Sequence, residues 1–264
     1  MPELQDSVLG TPTEHKVMHA VARTTSRLVG DLFVANYIID CLKMVSGLGD
    51  IHKILLVDAG QKRGAPSQTI AQLVAQANDN IRWVSEMQNE NYHRVSVLAF
   101  LSLWAAFESG NENIIATVIQ TVHPAANSAA ERFSKGKYDV SSWPWAEEKC
   151  FEIAQKLDQK AKSETHDGGW DIASRLTTLF GWLGAKLCIS VDTAEKLNEA
   201  SMVRNVLLHR YGRLSPRDIQ RAPHLVVTDT NAVHITRARL GEYSQAVNET
   251  HVAVMRGVAA AGWM

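Results

Sequence analysis

Cysteine is scarce. The 264 residues hold three, Cys41, Cys150 and Cys188, widely spaced and with no Cys-x-x-Cys pair. That excludes a disulfide framework and a cysteine-rich zinc site, and fits a reducing cytosol. Excess charge of either sign is also missing: 27 Lys and Arg face 28 Asp and Glu, a formal net charge of −1. Nothing therefore draws the whole molecule to a polyanion, and any nucleic-acid contact must come from a local patch. Long apolar runs are absent. The most apolar early stretch, Leu28 to Val45, is broken by Asp31, Asn36, Asp40 and Lys43, so no membrane span is expected. The N-terminus lacks a basic start followed by an apolar block, so no secretory leader is expected, and the chain reads as cytoplasmic. No phosphate-cradling glycine loop, Gly-x-Ser-x-Gly elbow, kinase signature or dinucleotide fingerprint occurs. His15 and His19 lie four apart but lack a third ligand at suitable spacing, so no metal or other cofactor is implied.

What is present is helical. Apolar content of 45% with 21% charged residues gives an ordinary globular chain with ample core. A helical period runs from His15 to about Val45, with Gly47, Gly49 and Asp50 as its expected end. Ile51 to Val57 fits either a strand or more helix. The turn-rich, basic segment Gly60 to Ser67 is the best linker, dividing an N-terminal helical extension (residues 1–66) from a helical bundle (residues 67–264). Within the bundle, helices are expected over Gln68–Trp83, Tyr92–Glu108, Asn111–Val122 after a break at Gly110, Pro144–Ala161, Trp170–Ile189 and Arg237–Ala259. Only Leu225–Thr228 and Val233–Thr236, around Asp229-Thr230-Asn231, read as strands, forming a small β-hairpin before the last helix. The expected fold class is all-α.

The chain is organised around Ser190 to Pro223. Asp192 is the expected helix cap, with Glu195 three residues on as in a capping box, and Gly212 the expected stop. Ser215, Pro216 and Asp218 open a second, short helix. The first helix is apolar over most of its circumference, yet Asn198, Ser201, Asn205 and His209 form a polar row at spacings of three and four. Such a row on a core helix requires partners from the fold, a second subunit or a ligand.

Arg204-Asn205-Val206-Leu207-Leu208-His209 resembles the R-x(4–6)-H motif of HEPN domains, including the polar residue that often follows the Arg. Tyr211 extends the likeness to the R-x4-H-x-Y form of HEPN toxins paired with nucleotidyltransferase antitoxins. Leu103 to Glu108 is similar to the opening helix of many such domains. The resemblance covers the last two thirds of the chain. It implies a HEPN-like helical bundle, metal-independent RNA cleavage, a homodimer with a composite site, a toxin or antiphage-defence role, and an antitoxin or sensor protein as partner.

The chemistry of the motif residues agrees with that implication. Metal-free RNA cleavage needs a base for the 2′-OH, an acid for the 5′-oxygen and a fixed positive charge on the pentavalent phosphorane. His209 suits proton transfer, and Arg204 suits the phosphate; the competing reading is that His209 caps the helix end and Arg204 makes a surface ion pair. Five residues place the two side chains about 140° apart on the helix, so they do not share a face. A two-fold dimer solves this by bringing two Arg and two His into one cleft. Asn205 reads either as a group that bonds the phosphate or fixes the imidazole tautomer, or as an ordinary solvent-facing Asn. Arg210, Arg213, Arg217 and Arg221 cluster with only Asp218 among them, as a phosphate-tracking surface or a solvated face. Tyr211 reads as an RNA contact, as the nucleotidylated residue implied by the toxin resemblance, or, preferred over both, as an aromatic packing the helix end. Glu108 either bonds across the bundle or marks a helix end. The competing readings of the whole chain are a non-catalytic helical module binding RNA, a nucleotide or a protein, and a structural dimerisation protein.

Overall fold

The computed structural model describes residues 12–264 except 135, 166–170, 223, 224 and 226, and leaves out the side chains of 12–15, 46, 47 and 50. The described chain is all-α. Its helices are α1 (Pro12–Lys62), α2 (Ser67–Asn89), α3 (His93–Thr121), α4 (His123–Glu131), α5 (Glu147–Glu164), α6 (Ile172–Leu183), α7 (Val191–His209), α8 (Pro216–Arg221) and α9 (Arg237–Ala260). Among the described residues, none of these helices is long and apolar enough to cross a membrane.

α3 is the hub. It packs against α1, α4, α5, α7 and α9. Phe100, Leu103, Trp104 and Phe107 fill the centre with Phe180 of α6, Val203 of α7 and Tyr243 of α9. Phe100 tilts against Trp104 and Tyr243, with ring centroids 6.1 and 5.2 Å apart. α1 feeds the same core through Val17, Ala20, Val21 and Leu28. A second, smaller core joins Ile39 and Leu42 of α1 to Val84 and Met87 of α2 and to Tyr92.

Three glycines expected as helix ends lie inside helices instead. α1 runs on through Gly47 and Gly49 to Lys62, so Ile51–Val57 is helical, and α3 runs through Gly110 without a break. The reason is close packing. A Cβ on Gly110 would lie 2.2 Å from Thr24 Cγ2 of α1, and one on Gly49 would lie 2.7 Å from Ile81 Cγ1 of α2. Gly60 meets Ile70 in the same way, at 2.8 Å. A mid-helix glycine costs roughly 0.5–1 kcal/mol in propensity, and these positions bring helices closer than any larger residue would permit.

Other boundaries shift. α5 starts at Glu147 rather than Pro144, because Ser141 and Ser142 belong to a short 3-10 turn whose cap is Asp139. α6 stops at Leu183, where Gly184 takes φ 100°. Its expected start at Trp170 lies outside the described residues. Among the described residues of the expected hairpin, Val227 forms an antiparallel bridge with Val233, and Thr228 N–H donates to Ala232 O at 2.9 Å. On the other edge Val233 N–H donates to Gly212 O, and Asn231 O accepts from Leu214 N–H, both at 2.9 Å. Residues 231–233 therefore pair on both sides, with residues 227–228 and with the α7–α8 connection.

One face of α1 stays apolar and uncovered. Val34, Tyr37, Cys41, Met44, Leu48, Ile51 and Leu55 follow a three-four spacing, and all but Cys41 are more than half exposed. That is the spacing of a coiled-coil seam. It lies on a different side of the helix from Ala35, Ile39 and Leu42, which are buried.

Candidate functional site

α7 carries the motif. Its cap is Ser190, whose Oγ accepts from Thr193 N–H at 3.1 Å, two residues before the expected Asp192. Asp192 sits in the first turn and pairs with Lys196 at 2.8 Å. Behind the helix, Glu199 accepts from the buried Tyr243 hydroxyl at 2.7 Å, fixing α7 to α9. Burial, reinforced by the Glu199 carboxylate, pushes the Tyr243 hydroxyl far above the ordinary phenol range, so it stays a donor.

The polar row does not act as one unit. Asn198 Oδ1 accepts from Ile172 N–H at 2.9 Å and its Nδ2 donates to Asp171 Oδ1 at 3.1 Å, so it tethers the start of α6. Ser201 is buried. Asn205 accepts from Arg204, with Nη1 to Oδ1 at 2.9 Å. Arg204 also donates across the bundle from Nη2 to Glu108 Oε2 at 2.8 Å. Glu108 therefore sits mid-helix in α3 and bonds across the bundle, resolving its two readings. The guanidinium keeps 28% of its side-chain surface exposed. It is held in one orientation by its two partners while remaining open to an incoming anion.

His209 is the last residue of α7 and is exposed. No hydrogen bond joins Arg204 to His209 among the described residues, in keeping with their angular offset on the helix. After His209 the chain reverses sharply. Tyr211 takes φ 53° and Gly212 φ 80°, and Gly212 N–H returns to Val206 O at 3.1 Å. A left-handed conformation suits glycine but is rare for a bulky residue such as tyrosine. Tyr211 is 98% exposed, so it does not pack the helix end as preferred from sequence.

The arginines divide. Arg210 donates from Nη1 to Asp218 Oδ2 at 2.7 Å. Asp218 completes a capping box with Ser215 at the start of α8, as the sequence spacing suggests. Burial opposes ionisation of Asp218, but the Ser215 hydroxyl and backbone N–H, aided by Arg210, hold its carboxyl below the ordinary range. Arg210 is thus largely a brace. Arg213 and Arg217 are exposed beside the helix end.

The segment after α8 links the end of α7 to the start of α3. Val233 bonds Gly212, and His234 stacks on His93 at the start of α3 with centroids 4.7 Å apart. Arg237, opening α9, donates to Asn36 at 3.0 Å and lies 3.6 Å from Asp40 of α1.

A second polar feature escaped the sequence reading. α3, α5 and α6 enclose a cavity of about 260 Å³ that touches Glu108, Glu112, Asp158 and Arg175. The available signal was the single polar face formed by Glu108, Asn111 and Glu112 on an otherwise apolar helix. Among the described residues no group of three His, Cys, Asp or Glu side chains is arranged to hold a metal ion. No family model, curated protein or solved structure matches this chain.

Proposed function

We propose that this protein is a metal-independent endoribonuclease of HEPN type, acting as a homodimer in a toxin or antiphage-defence role. The observation that carries the reading is the setting of Arg204. Its guanidinium is oriented by Glu108 and Asn205 and left partly open, one and a half turns before an exposed His209. Arg204 steadies the phosphorane, neutral His209 of one subunit takes the 2′-OH proton, and protonated His209 of the other subunit gives its proton to the leaving 5′-oxygen. Arg213 and Arg217 track the RNA backbone beside them, with exposed Tyr211 as a stacking contact.

The second copy is assigned to the outward seam of α1. Its heptad spacing calls for a helix as partner. For a composite site, that two-fold pairing must bring two α7 ends near one another.

The test is cleavage of single-stranded RNA with EDTA present, followed by analysis of the product ends. Cleavage leaving cyclic phosphates, lost in His209→Ala and in Arg204→Ala while both variants stay folded, is the expected result. Full activity of His209→Ala would refute the assignment. One observation favours a non-catalytic RNA-binding module instead: Glu108 and Asp218 already neutralise Arg204 and Arg210. Salt-sensitive RNA binding without turnover over hours would select that reading.

A further inference from the structure

α1 and α5 both pack on α3, and the three helices line an open groove of about 360 Å³. That volume lies within the roughly 300–1,000 Å³ of sites for small organic ligands. α1 brings Lys16, His19 and Arg23 to it, at spacings of three and four, and all three are exposed. α5 brings one acid, Glu147, in its first turn, and Phe151 one turn further on. Among the described residues, Lys16, His19, Arg23 and Glu147 make no ion pair with one another or with any other group. Opposite charges thus line one groove without reaching each other, and both signs are left to an occupant.

The occupant's chemistry follows from the two sides. Seven residues set Lys16 and Arg23 about 10 Å apart along α1, with His19 between them. Two long cationic side chains and an imidazole on that span fit a chain of phosphates rather than a single one. The carboxylate of Glu147 only accepts hydrogen bonds, so it would repel the phosphates and calls for N–H donors on another part of the ligand. Phe151 is half-buried and offers a ring on which a flat base can stack. Guanine carries two N–H donors side by side on its pairing edge, matching a carboxylate bidentately. Adenine and cytosine place a ring acceptor beside the amino group, and uracil flanks its one N–H with carbonyls.

We propose that this groove binds a guanine nucleotide with two or more phosphates. Lys16, His19 and Arg23 hold the phosphates, Phe151 stacks the base, and Glu147 accepts from its pairing edge. The amides of Asn113 and Gln120, which line the groove from α3, bond the ribose. No residue of the α7 motif takes part, so the site does not depend on the ribonuclease reading.

Calorimetric titration of the full chain tests this with four probes: GDP, UDP, guanosine and inorganic pyrophosphate. GDP should saturate at one per chain, with each of the other three about tenfold weaker or more. Arg23→Gln should weaken GDP about tenfold through the loss of a charge-assisted bond. Glu147→Gln should remove the preference for GDP over UDP. Arg82→Gln, which changes an exposed arginine paired with Asp79 on α2, should leave GDP binding unchanged. Absence of saturable GDP binding overturns the proposal. Pyrophosphate binding as tightly as GDP overturns it too, since the groove would then be a plain basic patch. Loss of GDP binding in Arg213→Gln but not in Arg23→Gln would place the nucleotide at the end of α7 and equally overturn it. A uridine-only oligonucleotide binding more tightly than GDP, and released by Arg23→Gln, would make the groove an RNA track instead. The four-probe comparison uses the wild-type protein and holds even if a variant fails to fold. RNA cleavage is measured separately, so its absence would not bear on GDP binding.

Discussion

Arg204 of α7 and Glu108 of α3 meet at 2.8 Å across 96 residues of sequence, each about a third exposed. The pair is too wet to be a large stability term, and double-mutant measurements on comparable pairs give up to about 1 kcal/mol. Its value lies in orientation. Glu108→Gln keeps the shape and removes the charge. Thermal stability should fall by no more than that amount, while RNA cleavage should fall roughly 10- to 100-fold through misplacement of the guanidinium. Faster cleavage in this variant would instead make Glu108 a lock on Arg204.

Gly110 tests the crossing of α1 and α3. Gly110→Ala gains helix propensity but drives a methyl against Thr24 Cγ2. Overpacking of this kind costs about 1–3 kcal/mol and should outweigh the gain. The urea midpoint should drop, and adding Thr24→Ala should recover much of the loss.

Asp218 links stability to acid. Its folded carboxyl lies below the ordinary value, so its contribution is complete above the unfolded value near 4 and disappears as pH falls through the lowered folded value. Asp218→Asn should cost about 2 kcal/mol at neutral pH by loss of charge-assisted bonds. The gap between variant and wild type in urea unfolding should close as the pH is taken down toward 3.

His93 titrates in a higher window. Burial first, and the neighbouring His234 second, hold its imidazole below the usual 6.5. Its neutral form also accepts from Ile235 N–H at 3.0 Å. The contribution is present above pH 6.5 and lost as pH falls through the lowered folded value. His93→Asn offers an oxygen for the same bond and removes the proton site, so it should flatten the stability profile between about pH 7 and 5. Buried His251, also lowered by burial, will leave a residual slope.

The outward seam predicts assembly. Wild-type protein should run as a dimer in light scattering, and Leu48→Glu, placed in the middle of the seam, should give a folded monomer. A monomeric wild type would remove the second copy from the proposed site.

Much of this was readable in the sequence, and the failures share a cause. The α8 start was legible because Ser215, Pro216 and Asp218 interact locally. The Arg204–His209 offset was legible because it is helix geometry. Gly49, Gly60 and Gly110 misled because glycine weakens an isolated helix, and their role as contact points depends on Thr24, Ile81 and Ile70, which are distant in sequence. The bond from Val233 to Gly212 was illegible for the same reason, since its two partners are distant in sequence. Tyr211 was expected inside and lies outside, since two consecutive left-handed residues turn the chain away from the core. Glu112 and Asp158 went unnoticed because nothing local brings α3 and α5 together.

α1 obeys two rhythms at once. Gly49 and Gly60 stand eleven residues apart and face Ile81 and Ile70, themselves eleven apart. An eleven-residue repeat favours slight right-handed winding, whereas the seven-residue repeat on the outer side favours left-handed winding. One rod cannot satisfy both over a long distance. A partner helix can follow the outer rhythm only briefly before the clamp on α2 pulls the register away, which limits any zipper to the three heptads from Val34 to Leu55.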